Sequence, residues 1–211
     1  MSNLTKIRVG GVPEHFNLPW HLAIENGLFE KEGIEVEWTV FKGGTGQMTR
    51  ALRENEIDVC ILLTEGIIAD IVNGNPAKLI GKYLNTPLIW GVYTGIHNSV
   101  TQYGEIYDKQ YAISRFGSGS HLMPIVDANS KKIKLKHSQF EVIKNLDGAL
   151  ESLATNATDV FYWEKYTTKP YVDSGLLKHL GDYVTPWPCF MMAATNSVLE
   201  RAHKSIERLK R

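Results

Sequence analysis

Apolar and polar positions along this 211-residue chain recur with two periods in turn, near two and near 3.6 residues, and such alternation predicts mostly parallel sheets faced by helices. Ile7 to Val12 reads as a first strand. Asn17 then caps a helix running to about Glu32, with Leu18, Leu22, Ile24, Leu28 and Phe29 on its apolar face and Gly33 as its stop. Ile34 to Phe41 alternates like a half-buried strand. Gly43 to Gly46 leads into a helix from about Gln47 to Asn55, and Ile57 to Leu63 is a third strand. Thr64-Glu65 opens a helix ending near Gly74-Asn75-Pro76, after which Ala77 to Leu84 and Leu88 to Thr94 read as two further strands.

A polar, weakly periodic stretch from Gly95 to Asp108 interrupts this rhythm, which restarts at Tyr111 to Ser114. The reading is therefore a two-lobed α/β chain, with 1–94 plus 195–211 as the first lobe, 95–194 as the second, and a ligand cleft between them. In the second lobe Arg115 to Asn129 is a turn and helix, Phe140 to Ile143 a strand, and Asp147 to Thr155 a helix capped by Asp147. Val160 to Trp163 is the next strand and Cys189 to Ala194 the last.

Composition narrows the function classes. Twenty-three basic residues balance twenty-three acidic ones, so no global field draws the chain to nucleic acid, and no apolar run approaches the roughly 20 residues of a membrane span. The start Met1-Ser2-Asn3 runs into a strand without a signal-peptide pattern, which makes the cytoplasm the expected compartment, with the periplasm as the alternative if a signal peptide has been removed. Cys60 and Cys189 are expected to be two free thiols, in keeping with a reducing environment.

Four stretches carry a resemblance. Leu18 to Trp38, LPWHLAIENGLFEKEGIEVEW, resembles the first helix and second strand of the type II periplasmic-binding-protein superfamily, in its branch for nitrate, aliphatic sulfonates and thiamine precursors. Arg50 to Ile61 followed by Asn73 to Gly81 is similar to that branch's helix, Asp-containing third strand and Gly-x-Pro turn. Ser114 to His121, SRFGSGSH, is similar to the glycine-serine turn heading the second lobe's first helix, and Phe161 to Tyr166 to its Trp-Glu-Pro-Tyr element. The resemblance implies two lobes of mostly parallel sheet joined by crossing strands, closing by hinge motion on a small anionic or heteroaromatic metabolite. Family members usually continue with further helices after the return strand near Phe190 to Asn196, whereas this sequence ends at Arg211.

In open α/β sheets ligands sit outside the carboxyl ends of the strands, where loops feed into helix N-termini. The candidate ligand residues are therefore His15, Phe16 and Asn17, then Gly44, Thr45 and Gln47, then Thr64 and Glu65 in the first lobe. In the second they are Gly117, Ser118, Gly119, Ser120 and His121, then Trp163 and Glu164, with Trp90 and Trp187 near the cleft or hinge. Gly117 to Ser120 brings bare backbone and two hydroxyls, expected to be exposed donors, toward an anionic group. Gly43 to Gly46 lacks the Gly-Lys-Ser/Thr ending of a nucleotide-binding loop. Trp20 and Trp38 are expected in the core and Trp163 in the cleft, while Glu164 either neutralises a cationic ligand or caps a helix. His15 and His121 have no second ligand at metal-like spacing, so no metal, cofactor or catalytic residue is assigned.

Two rival functions share the fold. Fungal thiamine-pyrimidine synthases of the superfamily use a lysine-bound pyridoxal phosphate, a sacrificed histidine and clustered cysteines. This chain has Leu62 and Gly66 where the lysine and histidine would stand, and Trp187 to Met192 contains only Cys189. A ligand-sensing regulatory domain is the other rival, without a DNA-binding segment here. The expected partners are a small-molecule ligand and, if the protein is exported, a transporter; neither nucleic acid nor direct membrane insertion is expected.

Overall fold

The computed structural model describes residues 4–210, so the reading of Met1-Ser2-Asn3 as a start lies outside the described residues. The first part of the chain runs β1 (Thr5–Gly11), α1 (Leu18–Glu25), α2 (Leu28–Lys31), β2 (Ile34–Val40), α3 (Gly44–Arg53), β3 (Val59–Leu63), α4 (Thr64–Val72) and β4 (Ala77–Leu84). It continues with β5 (Ile89–Gly95), β6 (Tyr111–Ile113), α5 (Gly119–Ser130), β7 (Phe140–Val142), α6 (Leu146–Ala154), β8 (Val160–Glu164), α7 (Lys165–Asp173) and β9 (Leu177–Val184). The last elements are β10 (Phe190–Thr195) and α8 (Asn196–Leu209).

Two units result, one of Met1–Thr86 with Pro188–Arg211 and one of Pro87–Trp187. Each holds a five-stranded sheet, ordered β2-β1-β3-β10-β4 in the first and β7-β6-β8-β5-β9 in the second. The orders are equivalent. In each sheet three strands pair in parallel and one strand pairs antiparallel on both sides, β10 with β3 and β4, and β5 with β8 and β9. The antiparallel strand is in both cases the first one after the chain crosses from the other unit. It arrives without the helical crossover that turns a strand back to parallel.

This corrects the lobe assignment of two strands. The segment Leu88 to Thr94, read as first-lobe, pairs in the second sheet, and Cys189 to Ala194, read as second-lobe, pairs in the first. Both are buried, near-continuous apolar strands, and such runs carry no mark of which sheet they join. The crossings themselves are stitched by backbone bonds, Cys189 N–H to Thr86 O at 3.0 Å in the first unit and Thr185 N–H to Leu88 O at 3.2 Å in the second.

Three local expectations also change. The helix predicted from Asn17 to Glu32 breaks at Gly27, which takes a left-handed φ of 62°, while Asn26 Nδ2 donates to Leu22 O at 2.7 Å to end α1. Asn17 precedes α1, but its amide donates to Val12 O at 2.8 Å and does not cap the helix. The cap of α6 is Asn145, whose Oδ1 accepts from Gly148 N–H at 2.9 Å; Asp147 lies one step inside the helix.

The cores follow the sheets. In the first unit Phe41, Met48, Leu52, Ile57, Leu62 and Ile67 pack together under α3 and α4. In the second, one sheet face packs Val92, Ile113, Met123, Val160 and Tyr162 against α5, and the other packs Tyr93, Ala112, Leu153 and Phe161 against α6. Trp20 is buried in the core as expected and stacks on Phe29, whereas Trp38, its ring centroid 5.8 Å from that of Trp20, is only half-buried because it covers the Trp20 ring from the sheet surface. The two cysteines are free and buried. Among the described residues no helix is long and apolar enough to cross a membrane.

Candidate functional site

The parallel strands of each sheet end on one edge, and the antiparallel strand begins there. In the first unit Phe190, the first residue of β10, pairs with Leu63 on one side and Leu84 on the other. Phe16 joins it, with ring centroids 4.4 Å apart, and Tyr83 donates its hydroxyl to Phe16 O at 2.6 Å. Thr64 N–H donates to Cys189 O at 3.0 Å and its hydroxyl to Pro188 O. Glu65, buried next in sequence, adds its charge to the burial that pushes the Cys189 thiol above its ordinary pKa. That thiol is therefore protonated and a poor nucleophile at neutral pH.

The glycine-rich loop before α3 closes on the same edge. Thr45 Oγ1 accepts from Leu63 N–H at 3.3 Å, and any side chain at Gly66 would overlap the Thr45 methyl. Helix α3 starts at Gly44, three residues earlier than the sequence suggested; Gly44 takes a φ of 65° as the chain turns into the helix, and Gln47 Oε1 accepts from Gly43 N–H at 2.9 Å, which ties the turn to the first helical residues. His15 is exposed, its ring 6.0 Å from that of Phe16. The first unit thus brings Phe16, Thr45, Thr64 and Glu65 to one edge. Asn17 and Gln47 are occupied in holding the loops.

In the second unit the equivalent of Phe190 is Trp90, paired across β5 with Glu164 and Tyr183. Its ring is buried and lies against Gly119 at the start of α5. Gly117 takes a φ of 77°, so the turn needs glycine there. The two serine hydroxyls are not the exposed donors expected. Ser118 and Ser120 are 6% and 2% exposed; Ser118 Oγ donates to Arg115 O at 2.7 Å, and Ser120 Oγ accepts from Ser114 N–H at 3.0 Å. The hydroxyls serve the loop's own backbone because a tight turn leaves unsatisfied groups within their reach. What the turn offers instead are the N–H groups of Gly119 and Ser120 in the first turn of α5, which have no acceptor among the described residues.

The remaining positions separate. Glu164 caps α7, accepting from Tyr166 N–H at 3.0 Å and Thr167 N–H at 2.8 Å, which is the helix-capping alternative stated for it. Trp163 stacks on Phe161 with centroids 5.1 Å apart and packs on the core beneath α6. Trp187 packs, half-buried, on the core on the α5 side. His121 Nδ1 accepts from Gly117 N–H at 3.1 Å. Tyr83, Phe190 and Phe116 stand at these edges without having been singled out. An aromatic residue at or beside a strand end marks Tyr83 and Phe190, whereas Phe116 lies in the loop between β6 and α5.

Gly119 gives a direct check on this geometry. A Cβ there would drive into the Trp90 ring, with Cζ2 at 2.7 Å, and the buried indole has no room to move aside. Gly119→Ala should cost about 1–3 kcal/mol of stability through overpacking, measured by urea unfolding. A loss under about 0.5 kcal/mol, within the range of neutral surface changes, would contradict the contact.

A model of the Ca3427-like PBP family matches residues 90–183. No curated protein sequence matches the chain. Among solved structures, the CA3427 gene product of Candida albicans, which defines a family with the generic periplasmic-binding-protein fold, superposes with a TM-score of 0.87 at 30% identity. The match covers 98% of this chain and 68% of that one. The alkanesulfonate-binding protein SsuA of Xanthomonas axonopodis pv. citri, bound to MOPS, gives a TM-score of 0.77 at 13% identity over 99% of this chain and 72% of its own. The aliphatic sulphonate binding protein SsuA of Escherichia coli gives 0.72 at 16% identity over 97% and 70%. The last two share the fold; the first, at its identity and coverage, shares more. The chain therefore belongs to the CA3427 family of proteins, whose two lobes have the periplasmic-binding-protein fold.

Proposed function

We propose that this protein binds a small anionic or heteroaromatic metabolite, an organosulfonate or a thiamine-pyrimidine precursor being the leading classes, and that its lobes close on the ligand by hinge motion. The observation that carries the reading is the start of α5. There Gly117 and Gly119 keep side chains away, both serine hydroxyls are turned inward, and two N–H groups at the positive end of a twelve-residue helix stand beside a buried tryptophan. Such an end favours an anionic head group, and the exposed ring of Phe116 supplies apolar surface for the rest of the molecule. The binding of MOPS by a protein of the same fold supports an acid-plus-ring ligand. Residence in the cytoplasm is part of the same proposal, supported by two buried, unpaired thiols.

The test is thermal melting in a sulfonate-free buffer such as Tris, against MOPS, ethanesulfonate, nitrate, inorganic phosphate, pyridoxal phosphate and thiamine pyrimidines. A ligand at 100 times its dissociation constant adds about 2.7 kcal/mol, which for a chain of this size is a rise of about 5–11 °C. A rise with an anionic member, absent with morpholine lacking the sulfonate, supports the reading. A flat response to every anion would sink it.

A further inference from the structure

The Gly117 to Ser120 turn hangs on one titratable acceptor. Gly117 N–H donates to His121 Nδ1 at 3.1 Å, and an imidazole accepts there only when that nitrogen is bare, with the proton on Nε2. The ring is held in place by edge-on contacts with Phe116 at 5.1 Å and Phe140 at 4.7 Å. Phe116 in turn lies flat on His137, with centroids 4.5 Å apart and planes 8° from parallel. His137 is the titratable group facing His121 from the short 3-10 turn His137–Gln139, Phe140 faces it from β7 with an apolar ring, and Arg115 is the charged residue of the turn itself.

We infer that neutral His121 is a positioning residue for the ligand-binding turn: its Nδ1 fixes Gly117, and protonation in mild acid releases the turn and weakens binding. This rests on the ligand reading of the turn given above. Protonation places a hydrogen on Nδ1, so that two donors oppose each other and the Gly117 N–H loses its acceptor. Burial, and after it the charge of His137, hold the His121 pKa below the ordinary histidine value. A group so lowered stays neutral through neutral pH, and the bond is lost as pH falls through that depressed pKa.

Two readouts test this on the full chain. In a proton–nitrogen NMR titration from pH 8 to 5, the Gly117 amide should shift with the same midpoint as the His121 imidazole, below the ordinary value of about 6.5. His121→Asn, whose Oδ1 can accept the same bond without titrating, should flatten the Gly117 curve, and His137→Asn, which removes a repelling charge, should move the midpoint upward. With ethanesulfonate as the probe, an anion whose charge is constant from pH 8 to 5, affinity should fall about tenfold in acid, the worth of roughly one hydrogen bond, and His121→Asn should abolish that pH dependence. A Gly117 amide that does not titrate, or that titrates unchanged in His121→Asn, overturns the acceptor role. An amide that titrates while ethanesulfonate binds equally at both pH values overturns the positioning role. A melting panel in which no anion binds at any pH refutes the ligand reading of the turn and with it the positioning role, whereas the NMR arm still reports the Gly117 bond on its own.

Discussion

Asp58→Ala should destabilise the first lobe by about 3 kcal/mol, at the lower end of the cost of breaking a buried ion pair. Asp58 is 1% exposed and accepts from two arginines. Arg8 reaches it through Nη2 at 2.8 Å, Nε at 3.2 Å and its own backbone N–H at 2.9 Å, and Arg201 adds Nη2 at 2.8 Å. One carboxylate thereby ties the approach to β3 to the neighbouring β1 and to α8. The guanidinium groups are partly solvated, so they recover water once the carboxylate is gone, which keeps the cost from the upper end of the range. Urea unfolding at pH 7 measures it, and a loss below about 1 kcal/mol, the worth of an exposed pair, would show that the triad is held in water.

The same residue sets an acid limb. Burial opposes its ionisation, but the hydrogen bonds from Arg8 and then Arg201 outweigh burial and hold its pKa below the ordinary carboxylate range. A carboxylate lowered in this way contributes stability that is complete above its unfolded pKa and is lost as pH falls through the lowered folded value. Between neutral pH and about pH 3, wild type should therefore lose stability more steeply than Asp58→Asn, whose side chain does not titrate over that range. Equal slopes would assign the acid limb to other groups.

Asp127→Ala should cost the second lobe a comparable amount, about 3 kcal/mol, for a different reason. Asp127, on α5, is fully buried, and its Oδ2 accepts from Tyr162 at 2.6 Å, Tyr103 at 2.8 Å and Tyr107 at 3.3 Å, while Lys131 Nζ lies 3.5 Å from Oδ1. Removing the carboxylate leaves the Tyr162 hydroxyl, in a core where water does not reach it, only the long contact to the Tyr103 hydroxyl at 3.4 Å, and a poorly satisfied buried donor costs more than the bond it made. Burial, reinforced by the neighbouring phenols and carboxylate, already drives the Tyr162 pKa far upward, so that phenol stays protonated and must find an acceptor. Tyr162→Phe alone should cost about 1 kcal/mol, and the double variant clearly less than the sum of the two, because the stranded donor is then absent. Strict additivity in urea unfolding would mean that the carboxylate and this phenol act independently.

The candidate site was legible in place but not in detail. Placing ligand loops after β1, β2, β3, β6 and β8 needed only the strand–helix rhythm, and Thr45, Thr64, Gly117 and Gly119 do stand in the loops or helix starts that follow strands. The inward turn of Ser118 and Ser120 and the use of Glu164 as a cap were not legible, since both depend on which backbone donors a folded loop leaves open. Gly27 breaking the first helix was written in the residue type, yet Gly27 and Gly33 are equally good stops by sequence, and packing of Phe29 on Trp20 selects the break.

Local sequence by itself determined the alternation of strands and helices, the glycines of the tight turns and the two-lobed class, because periodicity and backbone preference act over a few residues. Only the tertiary structure decided that β5 belongs with β8 and β9, that β10 belongs with β3 and β4, and that Asp58 and Asp127 each tie three separate segments together, their own included. Strand pairing and buried charge networks join residues tens to more than a hundred positions apart. Their energies depend on burial and mutual orientation, and a linear pattern of apolar and polar positions carries neither.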